Sequence, residues 1–424
     1  NTHKRRHKMK KITNKKQILL LTAMCIAAYL VSYLTRKNFN AVLAEFTVAE
    51  GVEKSAASII TVSLFIFYGV GQLLSGYLGD KFSPRKILTS GLLLTTAVNI
   101  IMPFLGTNVT VMAVFWGING IAQAFMWPPM VKIMTSRFTA DTYKTAVVRV
   151  TLGSAAGTML IYAVAALFIK FTGNWKTVFY FAAACGLVMA VLWELIVAKI
   201  EKNADMYGEE IIQESLPAKS DTKKDTKFNP FTMSPIIIIM IAIVLQGMLR
   251  DGVESWMPSY LSEGYGIETS GAILSSVALP ILTMVCVKVT SMIYNRFFTN
   301  ELSCSAVLFL AGTVSSLILW ITHGMNAPIA IALVALTASA MHGVNLILIG
   351  MIPQKYEKYG NVSFIAGLIN FCTYVGSAIF TYGMAKIAEM WDWKVTIFSW
   401  VIISLVGTLL CLVTIKSWKK FKER

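Results

Sequence analysis

Of 424 residues, 56% are hydrophobic and 14% charged, and the mean hydropathy is +0.63. A soluble globular chain carries roughly a quarter charged residues, so an ordinary cytosolic enzyme and a disordered binding tail are both excluded. The net charge of +16 points either to nucleic acid or to an anionic membrane face, and only the placement of the basic residues separates the two.

Read in order, the chain opens on a basic segment, residues 1–16, of which residues 1–8 precede Met9 and are set aside from the functional reading. Apolar runs then follow at about 17–39, 56–79, 86–106, 109–131, 144–168, 177–198, 235–262, 269–293, 303–322, 327–350, 361–385 and 395–415. Each is long enough to cross a hydrocarbon core of about 30 Å as a helix, and none alternates as a barrel strand does. The first is not a cleavable signal: it is too long, lacks a small-residue cleavage site and runs into Arg36-Lys37. With both termini placed in the cytoplasm, cytoplasmic segments hold 28 of the 38 Lys and Arg, outer loops five, and the spans themselves five. That asymmetry is the positive-inside signature. The basic charge therefore reports topology and contact with anionic lipid, not nucleic acid.

The composition breaks once, at 199–233, where six Lys and seven acidic residues stand with Pro217, Ser220 and Pro230. The expected organisation is a basic cytoplasmic tail (1–16), a six-helix lobe (17–198), a cytoplasmic linker (199–233), a second six-helix lobe (234–415) and a basic tail (416–424). The halves echo each other. Arg36 is matched by Arg250 at an offset of 214, Gly79-Asp80-Lys81-Phe82 by Tyr294-Asn295-Arg296-Phe297 at 215, and Asn174-Trp175-Lys176 by Asp392-Trp393-Lys394 at 218. Near-constant offsets indicate a duplicated unit. The expected fold is an all-α membrane protein of twelve helices in two pseudo-symmetric lobes, with a substrate site between them at mid-membrane. No nucleotide loop, zinc-protease motif or nucleophile elbow is present, so the chain reads as a secondary transporter and not an enzyme. The six cysteines have no metal-ligand spacing and read as small hydrophobes; no cofactor and no metal are expected.

Ionisable residues inside a span are functional candidates by default. The cations are Arg36, Lys37, Arg149, Arg250 and Lys288; only Asp251 and Glu254 share their depth. An excess of buried cations calls for an anion, and an arginine fork matches phosphate oxygens two at a time. Tyr29, Tyr33 and Arg36 fall on one helix face, and Arg250 sits at similar depth in the other half with Glu254 one turn away. Two arginines from opposite lobes are thus expected to grip one dianionic group; the competing reading pairs them with Asp251 and Glu254. Asn119, Gln123 and Trp127 form a polar stripe before Pro128-Pro129, while Asn370 with Tyr374, and His342 with Asn345, stand one turn apart. For these, cavity lining and bonding between helices are both open. Gly153 and Gly157 form a small-residue face, and Arg149, one turn before it, reaches either the cavity or the membrane surface.

These residues resemble the organophosphate:phosphate antiporter family of the major facilitator superfamily. The narrowest elements are Tyr33-Leu34-Thr35-Arg36-Lys37-Asn38-Phe39, Asn119 to Pro129 with Gln123 and Trp127-Pro128-Pro129, and Leu249-Arg250-Asp251-Gly252 with Trp256 and Pro258. The Gly76 to Arg85 segment, with Asp80, Lys81 and Arg85, is common to the whole superfamily. The resemblance implies phosphate held by Arg36 and Arg250, a site lined by Tyr29, Tyr33, Gln123, Trp127 and Tyr374, and rocking of one lobe against the other. Arg149, His342 and Asn370 join the expected lining. Asp80, Lys81, Arg85, Asp251 and Glu254 are expected to serve gating or conformational change. Two departures stand out: Leu152 and Gln72 occupy places where glycerol-phosphate carriers have a histidine and a lysine. Arg149 is the candidate replacement for the lost positive group, and His342 stands roughly where those carriers have a tyrosine.

The expected function is exchange of a phosphorylated metabolite against inorganic phosphate by a monomer in the bacterial plasma membrane. The alternatives are a proton-coupled carrier of a carboxylate or other organic anion, with Glu254 or Asp251 titrating, and a receptor that binds a sugar phosphate without transporting it.

Overall fold

The computed structural model describes residues 11–207, 229–359 and 362–423. Most of the 1–16 tail and the centre of the 199–233 linker, including Pro217 and Ser220, lie outside the described residues. Twelve helices in the described residues are long and apolar enough to cross a membrane, and they fall into two six-helix lobes. The first lobe contains α1 (Lys15–Ala49), α2 (Lys54–Lys81), α3 (Pro84–Ile101), α4 (Val109–Ala124), α5 (Trp127–Arg137), α6 (Ala140–Thr172) and α7 (Lys176–Tyr207). The second contains α8 (Pro230–Met233), α9 (Ile236–Tyr265), α10 (Thr269–Ser275), α11 (Ala278–Phe297), α12 (Glu301–Ile321), α13 (Ala327–Met351), α14 (Val362–Met390) and α15 (Trp393–Glu423).

Two spans are broken. The fourth is split between α4 and α5 just ahead of Pro128-Pro129, which begin a helix where their missing N–H groups cost nothing. The eighth breaks at Ser276-Val277, between α10 and α11. Two elements run further than their hydropathy indicates. The helix entering the linker continues to Tyr207 because Ile200 and Ala204, one turn apart, are buried against the lobe. The last helix continues through the expected tail because Trp418 and Phe421 are buried on one face and pack, with tilted rings, on Tyr356.

Close helix approach sets the geometry around the centre. A Cβ at Gly157 would collide with the Leu30 carbonyl and reach 3.0 Å from the Tyr33 Cβ, so glycine lets α6 lie directly against the Tyr33 face of α1. Across the lobe seam α1 meets α9, α2 meets α14, and α6 meets α10 and α11. Two polar ties join the lobes at the end that carries the α1–α2 turn. Lys54 Nζ lies 2.8 Å from Glu263, and the Ser55 backbone N–H donates to Glu389 at 2.7 Å. Glu389 thereby takes one of the orphan amides of the first turn of α2. A cavity of about 470 Å³ sits among these residues, lined by Thr47, Glu53, Lys54, Glu263, Lys386 and Glu389 with their apolar neighbours.

Candidate functional site

The two span arginines are brought to the same place. The Arg36 guanidinium carbon lies 4.2 Å from the centre of the Tyr68 ring and 5.8 Å from that of Tyr33. That of Arg250 lies 5.7 Å from the Tyr374 ring. Tyr68 on α2 and Tyr374 on α14 touch across the seam with ring centroids 4.8 Å apart. An aromatic pair thus stands between the arginines of the two lobes, and its π faces partly offset the cations.

The carboxylates divide unequally. Arg250 is bound by its neighbour Asp251 through two bonds, Nη2 to Oδ2 at 2.6 Å and Nε to Oδ1 at 3.1 Å, and the Ser377 hydroxyl donates to the same Oδ2 at 2.6 Å. Lys37 pairs across the lobes with Glu254 at 2.8 Å. Beside it the Asn40 amide donates to Ser255 at 2.9 Å. Arg36 has no carboxylate partner among the described residues, and its buried Nε has no hydrogen-bond acceptor. The two-arginine clamp expected from sequence therefore needs one correction. Arg250 is not a free fork: Asp251 occupies two of its donors and leaves Nη1 available, so the uncompensated charge is concentrated on Arg36.

The remaining candidates are placed as follows. Tyr29 packs on Tyr33 at 5.2 Å and on Trp127 at 4.9 Å, making a half-buried aromatic wall one turn and more below Arg36. His342 is within electrostatic reach of Arg250, Asp251 and Lys37. Asn370 is half-buried one turn from Tyr374 on α14. Gln123 does not line open space. It is 3% exposed, and its amide donates to the hydroxyls of Thr35 and Thr95 at 3.0 Å each, inside the first lobe. Arg149 and Lys288 are exposed and have no ion-pair partner among the described residues. Arg85 lies within 3.4 Å of Glu194 and 3.3 Å of Glu201, both in its own lobe. The side chains of Asp80 and Lys81 lie outside the described residues.

Sequence reasoning passed over Tyr68, which stands one turn before Gln72 and contacts both Arg36 and Tyr374. A tyrosine in an apolar run carries no charge to mark it. It also passed over Glu263 and Glu389, which sit at span ends where an acidic residue is unremarkable.

Residues 25–381 match the Major Facilitator Superfamily. The chain belongs to that superfamily. It is an integral membrane transporter, not an enzyme. Its curated relatives include a glycerol-3-phosphate transporter of Bacillus subtilis, 26% identical over 85% of this chain and 84% of that one. They also include a probable hexose phosphate transport protein of Chlamydia muridarum, 22% identical over 91% and 88%, and the membrane sensor protein UhpC of Salmonella typhimurium, 22% identical over 86% and 84%. Among solved structures, a bacterial homologue of the human lysosomal transporter Spinster, inward-facing and occupied, superposes with a TM-score of 0.75 over 96% of this chain and 99% of that one. It is 12% identical, so it speaks for the fold alone.

Proposed function

We propose that this protein exchanges a phosphorylated organic metabolite, a sugar phosphate or similar ester, for inorganic phosphate by alternating access. The observation that carries the reading is Arg36: a half-buried guanidinium within a helix long and apolar enough to span a membrane, facing Arg250 of the opposite lobe across Tyr68 and Tyr374, with no carboxylate partner among the described residues. A charge held there without a partner is costly, and a phosphoryl dianion is the ligand that relieves it. Curated relatives whose names specify glycerol-3-phosphate and hexose phosphate support the same substrate class. The aromatic wall of Tyr29, Tyr33 and Trp127 suits the organic end of such a substrate, with Arg149, His342 and Asn370 as further candidate contacts.

Obligatory exchange follows from electrostatics. Asp251 neutralises Arg250, so Arg36 carries the unpaired charge at the seam. An empty carrier that closes its lobes must bury that charge unpaired, which is costly, and a bound dianion offsets it. The proton-coupled alternative requires a carboxylate free to titrate. It is disfavoured because Asp251 is bound by Arg250 and Ser377, and Glu254 by Lys37. The basic-residue asymmetry supports a cytoplasmic location for both termini, bacterial relatives support the plasma membrane of a bacterial cell, and a monomer is the matching assembly because both halves of the site come from one chain.

The test is efflux of labelled phosphate from proteoliposomes into buffer with and without an external phosphate ester. Exchange requires that efflux stall without the counter-substrate; equal rates in both buffers overturn it. Binding of a sugar phosphate with no movement of label identifies a receptor instead, and one relative is named a membrane sensor protein.

A further inference from the structure

We propose that a buried side-chain network centred on Thr35 positions Arg36 for the phosphoryl group, and that Gln123 and Asn119 act through it and not as substrate ligands. This rests on the reading above that Arg36 takes the anion.

Thr35 is fully buried and directly precedes Arg36. Its backbone carbonyl accepts two side-chain amides, from Asn99 on α3 at 3.1 Å and from Asn119 on α4 at 3.0 Å. Its hydroxyl accepts the Gln123 amide at 3.0 Å while donating back to its own helix at the Val31 or Ser32 carbonyl. Thr95 closes the ring: its hydroxyl donates to the Asn119 carbonyl at 2.5 Å and accepts from Gln123 at 3.0 Å. Asn99, Asn119 and Thr95 are completely buried. Two helices, α3 and α4, therefore converge through directional bonds on one residue of α1.

The two lobes hold their arginines by different means. In the second lobe the guanidinium itself is fixed, by Asp251, which Ser377 fixes in turn. In the first lobe the residue after Arg36 is Lys37, which is already committed to Glu254, and no carboxylate is spent on Arg36. Its side chain meets only the tyrosines Tyr33, Tyr68 and Tyr374 and no carboxylate among the described residues, and its place is set through the backbone. Apolar packing alone tolerates rotation of a helix about its axis; a carbonyl gripped by two amides does not. A rotation of one residue, about 100°, carries Arg36 off the seam. The same bonds use both amide hydrogens of Gln123 and one of Asn119, and the two residues are 3% and 0% exposed, which keeps them from a substrate.

The experiment uses the full chain and compares Thr35→Val, which keeps the β-branch but removes the hydroxyl, with Thr35→Ser, which keeps it. Gln123→Met removes the donor from the other side. Titration calorimetry with inorganic phosphate and exchange kinetics in proteoliposomes are read together with the melting temperature. Thr35→Val and Gln123→Met are expected to raise the phosphate Kd and the exchange KM by about tenfold, with the maximal rate changed by less than about threefold. Thr35→Ser is expected to retain wild-type affinity. A purely structural network lowers the melting temperature of Thr35→Val and Gln123→Met and leaves Kd at the wild-type value, and that result overturns the proposal. If Thr35→Val does not fold, Gln123→Met decides by the same criterion. A wild-type protein that neither binds nor exchanges phosphate overturns the functional reading first, and this inference with it.

Discussion

Lys54 of α2 and Glu263 of α9 stand 2.8 Å apart across the lobe seam, and the Trp393 indole N–H holds the Glu263 carboxylate from behind at 2.8 Å. The pair therefore latches one end of the molecule, together with the Ser55 N–H bond to Glu389. Both side chains keep contact with solvent, at 20% and 40% exposure. The pair is accordingly worth no more than about 1 kcal/mol. That is enough to tilt an equilibrium between two lobe arrangements by several-fold.

Reversing either charge is expected to open that end. A cysteine at Ser259, one turn before Glu263 and 2% exposed, should react about threefold faster with an impermeant thiol reagent in Lys54→Glu or Glu263→Lys than in the unmodified pair. The double swap should restore slow labelling. Labelling indifferent to all three changes shows that the pair does not latch the lobes.

Arg36→Lys and Arg250→Lys are each expected to lower exchange by about a hundredfold. A point charge on a flexible stem does not reproduce a planar fork, and charge-assisted bonds are worth about 1.5–3 kcal/mol each. The Arg250 change should also lower the melting temperature, because it leaves Asp251, 5% exposed, without its bidentate partner. The Arg36 change should not, since no carboxylate depends on it. Near wild-type exchange in Arg250→Lys counts against the two-lobe clamp.

Arg149 is exposed on α6, one turn before Gly153, where the helix packs on Ile26 of α1. If it faces the transport path, a cysteine there should react with impermeant reagent from the cytoplasmic side and be protected by phosphate ester. Labelling that substrate never slows places the side chain at the membrane surface instead.

His323, in the turn between α12 and α13, contacts the Tyr260 hydroxyl through Nδ1 at 3.3 Å. Burial holds its imidazole below the ordinary value of 6.5, with Asp392 pulling it up and Lys394 down. The folded protein thus favours the neutral ring. The stability this contributes is present above the unfolded value and is lost as pH falls through it. Melting temperature should drop between pH 7.5 and about 5.5, and His323→Gln should flatten that drop. An identical pH profile in the variant removes His323 as its source.

Twelve spans, the duplicated halves and the pair Arg36 and Arg250 were legible in the amino-acid sequence because each depends on local composition. Hydrocarbon admits only helices and closed barrels, and a long apolar run that does not alternate must be a helix in which every charge is conspicuous. What a polar residue inside a span faces is a different matter, since it depends on how each helix is rotated against its neighbours. Asn119 and Gln123 share a helix face with Trp127, yet Trp127 meets Tyr29 while the two amides turn inward to Thr35. Lys37 and Arg36 are adjacent, yet one reaches Glu254 in the other lobe and the other lies over Tyr68. Helix rotation is settled by close approaches such as Gly157 against Leu30 and by bonds between helices distant in the chain. Tertiary packing therefore decided which span charges met a carboxylate, as Lys37 and Arg250 do, and which, like Arg36, met only aromatic rings among the described residues.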